Sequence, residues 1–212
     1  MTKIRNQQQV LDAAAKVFAE KGYENARIED IAKELGVLQG SLYYHVSSKA
    51  GLLRLVTRQR FTDNVVELEK LAAGRQPPRE KLRRAISKQQ RYVDQHRTAS
   101  PRWFTDAHDP YRTEIEAEED ARLLARYREA WKAILAAGVD AGEISPSVDP
   151  TVTVLTLLGM CISAAAWPPP GPGRSPTRMA ALQLDLIWSG LAAGPVREPA
   201  VEAPDHAGAD RG

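Results

Sequence analysis

An all-α fold is predicted for this 212-residue chain, and three observations predict it. Apolar residues recur at three- and four-residue steps along most of the sequence. No stretch alternates apolar and polar residues with the period of two that a half-buried strand needs. Gly- and Pro-rich breaks cut the chain into helix-sized lengths. The pattern describes about nine helices, a short N-terminal group followed by a larger one. Hydrophobic residues make up 43% and charged residues 26%, which is ordinary for a globular chain and excludes wholesale disorder. The single cysteine, Cys161, excludes a disulfide framework and a cysteine-rich zinc site. It sits among Met160, Ile162 and Ala164 and reads as a small buried hydrophobe, not a redox sensor. The longest apolar run, 151–167, is interrupted by Thr, Gly and Ser and falls short of the roughly 18 residues of a membrane span. The basic start MTKIRNQQQ lacks the apolar core of a secretory signal. A cytoplasmic protein with no membrane partner is expected.

Each element has its own signals. In the first, Val10, Ala14, Val17 and Phe18 fall on one stripe, and Gly22 is the expected stop. Ile28, Ile31, Ala32 and Leu35 form a short second stripe, punctuated by Gly36. A third short helix follows over residues 38–45. Ser47 and Ser48 are caps for a fourth from 49 to about 72. GRQPP at 74–78 breaks the chain, and the next helix, with Leu82 and Ile86 inward, runs to about 95. Breaks at 98–101 and 109–110 precede a long helix from about 111 to 138 or 142, with Asp109 as N-cap and Pro110 at its first position. SPSVDP at 145–150 opens a helix to about 167, which WPPPGPGRSP must end. The last helix covers 177 to about 193, and the Pro-, Gly- and Ala-rich tail 194–212 is expected to be disordered.

Function is written in residues 26–53, ARIEDIAKELGVLQGSLYYHVSSKAGLL. Two short helices separated by a four-residue turn holding Gly36 have the helix-turn-helix layout, whose second helix enters the DNA major groove. Val37, Leu42 and Val46 face inward, leaving Gln39, Gly40, Ser41, Tyr43, Tyr44 and His45 outside or at the rim. Two adjacent tyrosines and a histidine solubilise a surface poorly, but their polar groups suit phosphates and base edges. Gln can read adenine, and Gly40 lets a backbone come close. Lys49 adds a charge at the start of the next helix. A structural hairpin is the plainer reading of a lone Gly-centred turn; GSLYYH and SSK in register decide against it. Charge is consistent. Net charge is only +2, but residues 1–60 hold ten Lys/Arg against six Asp/Glu, and the rest nineteen against twenty-one.

On these residues the chain resembles the TetR family of transcriptional regulators. VFAEKGYENARIEDIAKELGV and GSLYYHVSSKAGLL carry the likeness, over residues 5–53. It implies a DNA-binding domain at 1–48, a connecting helix at 49–73 and a ligand-binding and dimerisation domain at 74–193. It also implies that Gln39, Gly40 and Ser41 lie in the groove, with Arg27, Tyr43, Tyr44, His45 and Lys49 at bases or backbone. The expected function is a repressor released from a pseudo-palindromic operator by an apolar or amphipathic small molecule. Three departures stand out. Ala26–Arg27 replaces a frequent Thr-Thr, with Asn25 as the expected substitute cap. Val46 replaces Phe, and Ala50–Gly51 replaces an acidic pair.

The second domain is less legible. Trp103, Phe104, Tyr127, Trp131 and Trp167 bracket its central helices and are the candidate ligand-lining residues. The segment after Trp167 faintly resembles a subgroup sensing acyl-CoA thioesters, although an Arg precedes the Trp there and Ala166 does here. Val152, Leu155, Gly159, Ile162 and Ala166 on one helix are expected at a homodimer interface. On the last helix Leu184, Ile187, Trp188 and Leu191 form a second stripe beyond Met179, Leu182 and Leu186. Asp106, His108 and Asp109 define the alternative, a metal site or helical enzyme; Asp109 as a helix cap is the simpler reading. There is no Gly-rich phosphate loop and no G-x-S-x-G. No enzyme activity, metal or cofactor is expected.

Overall fold

The computed structural model describes residues 7–43, 46, 48–95, 113–166 and 175–192. Among them are eight helices: α1 (Gln7–Asn25), α2 (Ile28–Leu35), α3 (Gln39–Tyr43), α4 (Lys49–Ala73), α5 (Pro78–Gln95), α6 (Glu114–Asp140), α7 (Pro150–Ala166) and α8 (Pro176–Leu191). Extended pairing among the described residues is confined to one isolated antiparallel bridge, Ile144 to Ala192. The fold class is as the periodicity predicts.

Several boundaries moved for identifiable reasons. Gly22 takes a positive φ of 72° but kinks α1 without ending it. Asn25 is not the cap of α2, because its amide donates back to the Lys21 carbonyl. The cap position belongs to Arg27, whose backbone N–H donates to Asp30 Oδ2 at 3.0 Å. Gly36 ends α2 in the left-handed conformation, φ 67°, which a β-carbon would strain. At α6 the cap is Thr113, paired with Glu116 in a reciprocal capping box; Asp109 and Pro110 lie outside the described residues. Ser48 Oγ accepts from Gly51 N at 2.9 Å and starts α4, as expected.

Two hydrophobic cores result, and α4 serves both. The first gathers Val10, Ala14, Val17 and Phe18 of α1 with Ile31, Leu42 and Val46, closed by Leu52 and Val56 of α4. The second gathers Phe61, Val65 and Leu68, from farther along α4, with Leu82, Ile86, Tyr127, Trp131, Ile134, Leu157 and Leu184. Ion pairs fasten the outer side of α4. Arg58 pairs with Glu119 and, at 3.2 Å, with Asp120, and Arg126 makes two bonds to Glu69 at 2.9 and 2.7 Å. Gly138 lets the loop after α6 fold back, since a β-carbon there would sit 2.5 Å from Ile144 Cδ1. Among the described residues no helix is long and apolar enough to cross a membrane.

Candidate nucleic-acid interface and effector core

The helix-turn-helix is held by what it buries. Ile31 and Leu42 are fully buried and Ala32 nearly so, and the Val37 N–H bonds the Ala32 carbonyl at 3.0 Å across the turn. This anchors α3 by one side and presents the other. Tyr43 is 51% exposed, Gly40 and Ser41 are exposed, and Arg27 is exposed at the head of α2. A β-carbon on Gly40 would meet nothing within 4 Å, so internal packing gives no reason for a glycine there. Gln39 is half-buried, and its amide donates to Glu29 at 2.5 Å, which fixes the start of α3 against α2. Tyr44 and His45 lie outside the described residues. Leu38, 63% exposed beside Gln39, belongs to the same surface and escaped the sequence reading; its position in the turn was the available signal.

Lys49 is not a bare charge. Its Nζ donates to the Glu24 carbonyl at 3.1 Å and lies 4.4 Å from the Tyr23 ring centroid. The start of α4 is thereby tied to the end of α1. Asp30, the carboxylate that caps α2, is held below the ordinary carboxylate range first by its bond from Lys21 and then by the Arg27 N–H.

Of the proposed effector residues, Tyr127 and Trp131 are brought together in the second core, 2% and 0% exposed. Their rings meet edge-on at 6.3 Å, and Tyr127 contacts Phe61 at 5.2 Å. Trp103, Phe104 and Trp167 lie outside the described residues, as do Asp106, His108 and Asp109. The Tyr127 hydroxyl donates to Gln89 at 2.5 Å, while the Trp131 indole N–H, beside that hydroxyl, has no well-formed acceptor among the described residues. A buried orphan donor costs about 1–3 kcal/mol, which favours an acceptor reaching it. Gln89, Gln90 and Gln183 are buried in the same bundle, Gln90 donating to Gln183 at 2.8 Å. The sequence reading missed them, although Gln89 and Gln90 continue the apolar phase of Leu82 and Ile86. Cys161 is fully buried, and burial pushes its thiol up to about 12, as expected of an inert core residue.

On α7 and α8 an apolar face is left open. Val152, Leu155, Leu182 and Leu186 are exposed, Leu186 at 76%. Leu184 and Leu191 turn into the core instead, with Ile187 and Trp188 packed partly against it.

A short helix held across a glycine turn, its polar face outward and a larger helical unit behind it, defines a helix-turn-helix DNA-binding regulator. Residues 10–56 match the family model for bacterial regulatory proteins of the tetR family. Residues 75–191 match that for the tetracyclin repressor-like C-terminal domain. The chain belongs to the TetR family of transcriptional regulators. It is 26% identical to the HTH-type transcriptional repressor KstR2 of Rhodococcus jostii over 188 residues, 87% of this chain and 90% of that one. A TetR/AcrR-family regulator from Thermobifida fusca shares the fold with a TM-score of 0.71 and 26% identity, covering 87% of this chain and 98% of that one. So does the FadR regulator of Bacillus subtilis, solved with stearoyl-CoA. Its TM-score is 0.62 at 22% identity, with 88% of this chain and 100% of that one covered.

Proposed function

We propose that the chain is a homodimeric repressor that docks α3 of each protomer into successive major grooves of a pseudo-palindromic operator. The observation that carries this reading is the outward face of α3, where Gly40 and Tyr43 stand open with no internal packing role for the glycine. Gln39, Gly40 and Ser41 read the groove. Arg27, Tyr43, Tyr44, His45 and Lys49 contact bases or phosphates. Residues 1–48 form the reading domain, 49–73 the connecting helix and 74–193 the regulatory and dimerisation domain; the two cores that share α4 support this division. The exposed Val152, Leu155, Leu182 and Leu186 supply the self-complementary face. The protein works in the cytoplasm and performs no catalysis.

The effector is an apolar or amphipathic small molecule bound near Tyr127 and Trp131, with Trp103, Phe104 and Trp167 completing the site. The Trp131 indole N–H, weakly matched among the described residues, supports a ligand carrying a hydrogen-bond acceptor. An acyl-CoA thioester fits that description, and FadR of Bacillus subtilis was solved with one. No such support exists for the metal or enzyme alternative at Asp106, His108 and Asp109. Selection from a random duplex pool tests the operator claim: enrichment of a two-fold-symmetric site supports it, and a pool left unenriched refutes it.

A further inference from the structure

We propose that Glu29 of α2 is a second base-reading residue, which selects a cytosine in each half-site from beside α3. The proposal rests on the reading of α3 as the helix that enters the groove. Helix α2 carries three carboxylates, Glu29, Asp30 and Glu34. Two of them are neutralised by lysines of α1: Asp30 pairs with Lys21 and Glu34 with Lys16, both at 2.6 Å. Asp30 also accepts the Arg27 N–H, so closing the start of α2 does not fall to Glu29. Glu29 is exposed, and its partner among the described residues is neutral: it accepts the Gln39 amide at 2.5 Å. That bond crosses from α2 to the first residue of α3 and places the carboxylate at the edge of the reading surface.

A carboxylate without a cation beside it is repelled by DNA phosphates. A base edge that offers it a hydrogen-bond donor offsets that repulsion. In the major groove cytosine presents its N4 amino group, guanine the O6 and N7 acceptors, and thymine the O4 acceptor. Adenine sets the N7 acceptor next to its N6 amino group, and N7 faces a carboxylate unfavourably. Cytosine is the base a carboxylate matches, and guanine and thymine are those it rejects. The Gln39 bond occupies one oxygen of Glu29, and the other accepts no bond among the described residues. Gln39 in turn keeps its carbonyl oxygen and one amide hydrogen for a neighbouring base. Gly40, the next residue, carries no side chain to hold α3 off the base edges. Two bonded side chains, one from each helix, then read two base pairs.

The test is anisotropy titration of the full chain against the operator duplex obtained by selection, exchanged one base pair at a time through both half-sites. Wild type, Glu29→Ala, Glu29→Gln and Gln39→Ala are compared, each also against a random-sequence duplex. Wild type is expected to lose affinity about tenfold when one particular cytosine of either half-site is exchanged, a decade being about 1.4 kcal/mol. Both Glu29 variants are expected to level the preference at that pair. They are also expected to bind the random duplex at least as tightly as wild type, because a repelled charge has gone. Gln39→Ala is expected to level the preference at a different pair. An unchanged base profile in both Glu29 variants overturns the proposal. So does a preference lost only where Gln39→Ala also loses it, which makes Glu29 a positioning residue for Gln39. Equal weakening on operator and random duplex overturns it as well, since a damaged fold weakens both. Wild type that binds every duplex alike is a separate result, which removes the reading of α3 and the proposal with it.

Discussion

Lys49 has two competing sets of partners. In the free chain its ammonium grips the Glu24 carbonyl and the Tyr23 ring; on an operator the same group is proposed to meet phosphate. Removing it therefore has two effects of different kinds. Lys49→Ala is expected to lower stability by about 0.5–1 kcal/mol through the lost cation–π contact. It is also expected to reduce the slope of operator affinity against salt by about one unit. Chemical denaturation and anisotropy titration at several salt concentrations measure the two separately. An unchanged salt slope would leave Lys49 with only its internal role. At this scale the sequence was legible where chemistry is local. Ser48 before a helix is a cap by its own hydroxyl, and Gly36 is a turn by its lack of a β-carbon. It misled where two local solutions compete: Asn25 turned back to Lys21 and left the cap position to Arg27, whose N–H Asp30 satisfies. It was silent at Lys49, whose Tyr23 contact crosses twenty-six positions of chain.

Among the elements, α4 and α6 are fastened by groups that titrate. Glu116 at the head of α6 is held below the ordinary carboxylate range, chiefly by the Thr113 backbone N–H. Glu69 of α4 is lowered by the bonds it accepts from Arg126. A carboxyl with a depressed folded value contributes stability that is complete above its unfolded value and lost as pH falls through the folded one. The chain is therefore expected to lose stability progressively as pH drops below the ordinary carboxylate range. Glu69→Gln should flatten that loss, and denaturant midpoints across the acid range measure it. The open face of α7 and α8 makes a separate prediction. Leu155→Glu with Leu186→Glu places charge on exposed positions that no monomer packing requires. Sedimentation is expected to show a dimer for wild type and a monomer for the double variant; a wild-type monomer at micromolar concentration would remove the interface. The helices themselves were readable because each carries its own apolar stripe and stop signals. Which face of α8 turns inward was not, since Leu182 and Leu184 are equally apolar and only packing against α5 separates them. The buried Gln89, Gln90 and Gln183 were hidden for the same reason: their partners lie on other helices.

Across the whole molecule, induction requires an element that both sites bias. Helix α4 is the element proposed for that role, because Leu52 and Val56 belong to the core of the helix-turn-helix while Phe61, Val65 and Leu68 belong to the second core. A ligand inserted beside Phe61, Tyr127 and Trp131 must displace α4 or α6, and a tilt of α4 changes the spacing of two reading helices in a dimer. Half-sites lie one DNA turn apart, so a shift of a few Å disfavours simultaneous docking. Acyl-CoA thioesters of increasing chain length are expected to lower operator affinity while sedimentation still reports a dimer. A thioester that binds tightly yet leaves operator affinity unchanged would dismiss this coupling, because equal affinity for two states shifts neither. All of this rests on α3 being the surface that meets DNA, and one titration tests that most directly. The selected operator duplex is titrated with wild type and with Tyr43→Ala, with circular dichroism confirming that both are folded. The account predicts a loss of about 1–3 kcal/mol in operator affinity for the variant, with unaltered helicity because Tyr43 is half exposed. Equal affinity of the two proteins for that duplex would contradict it.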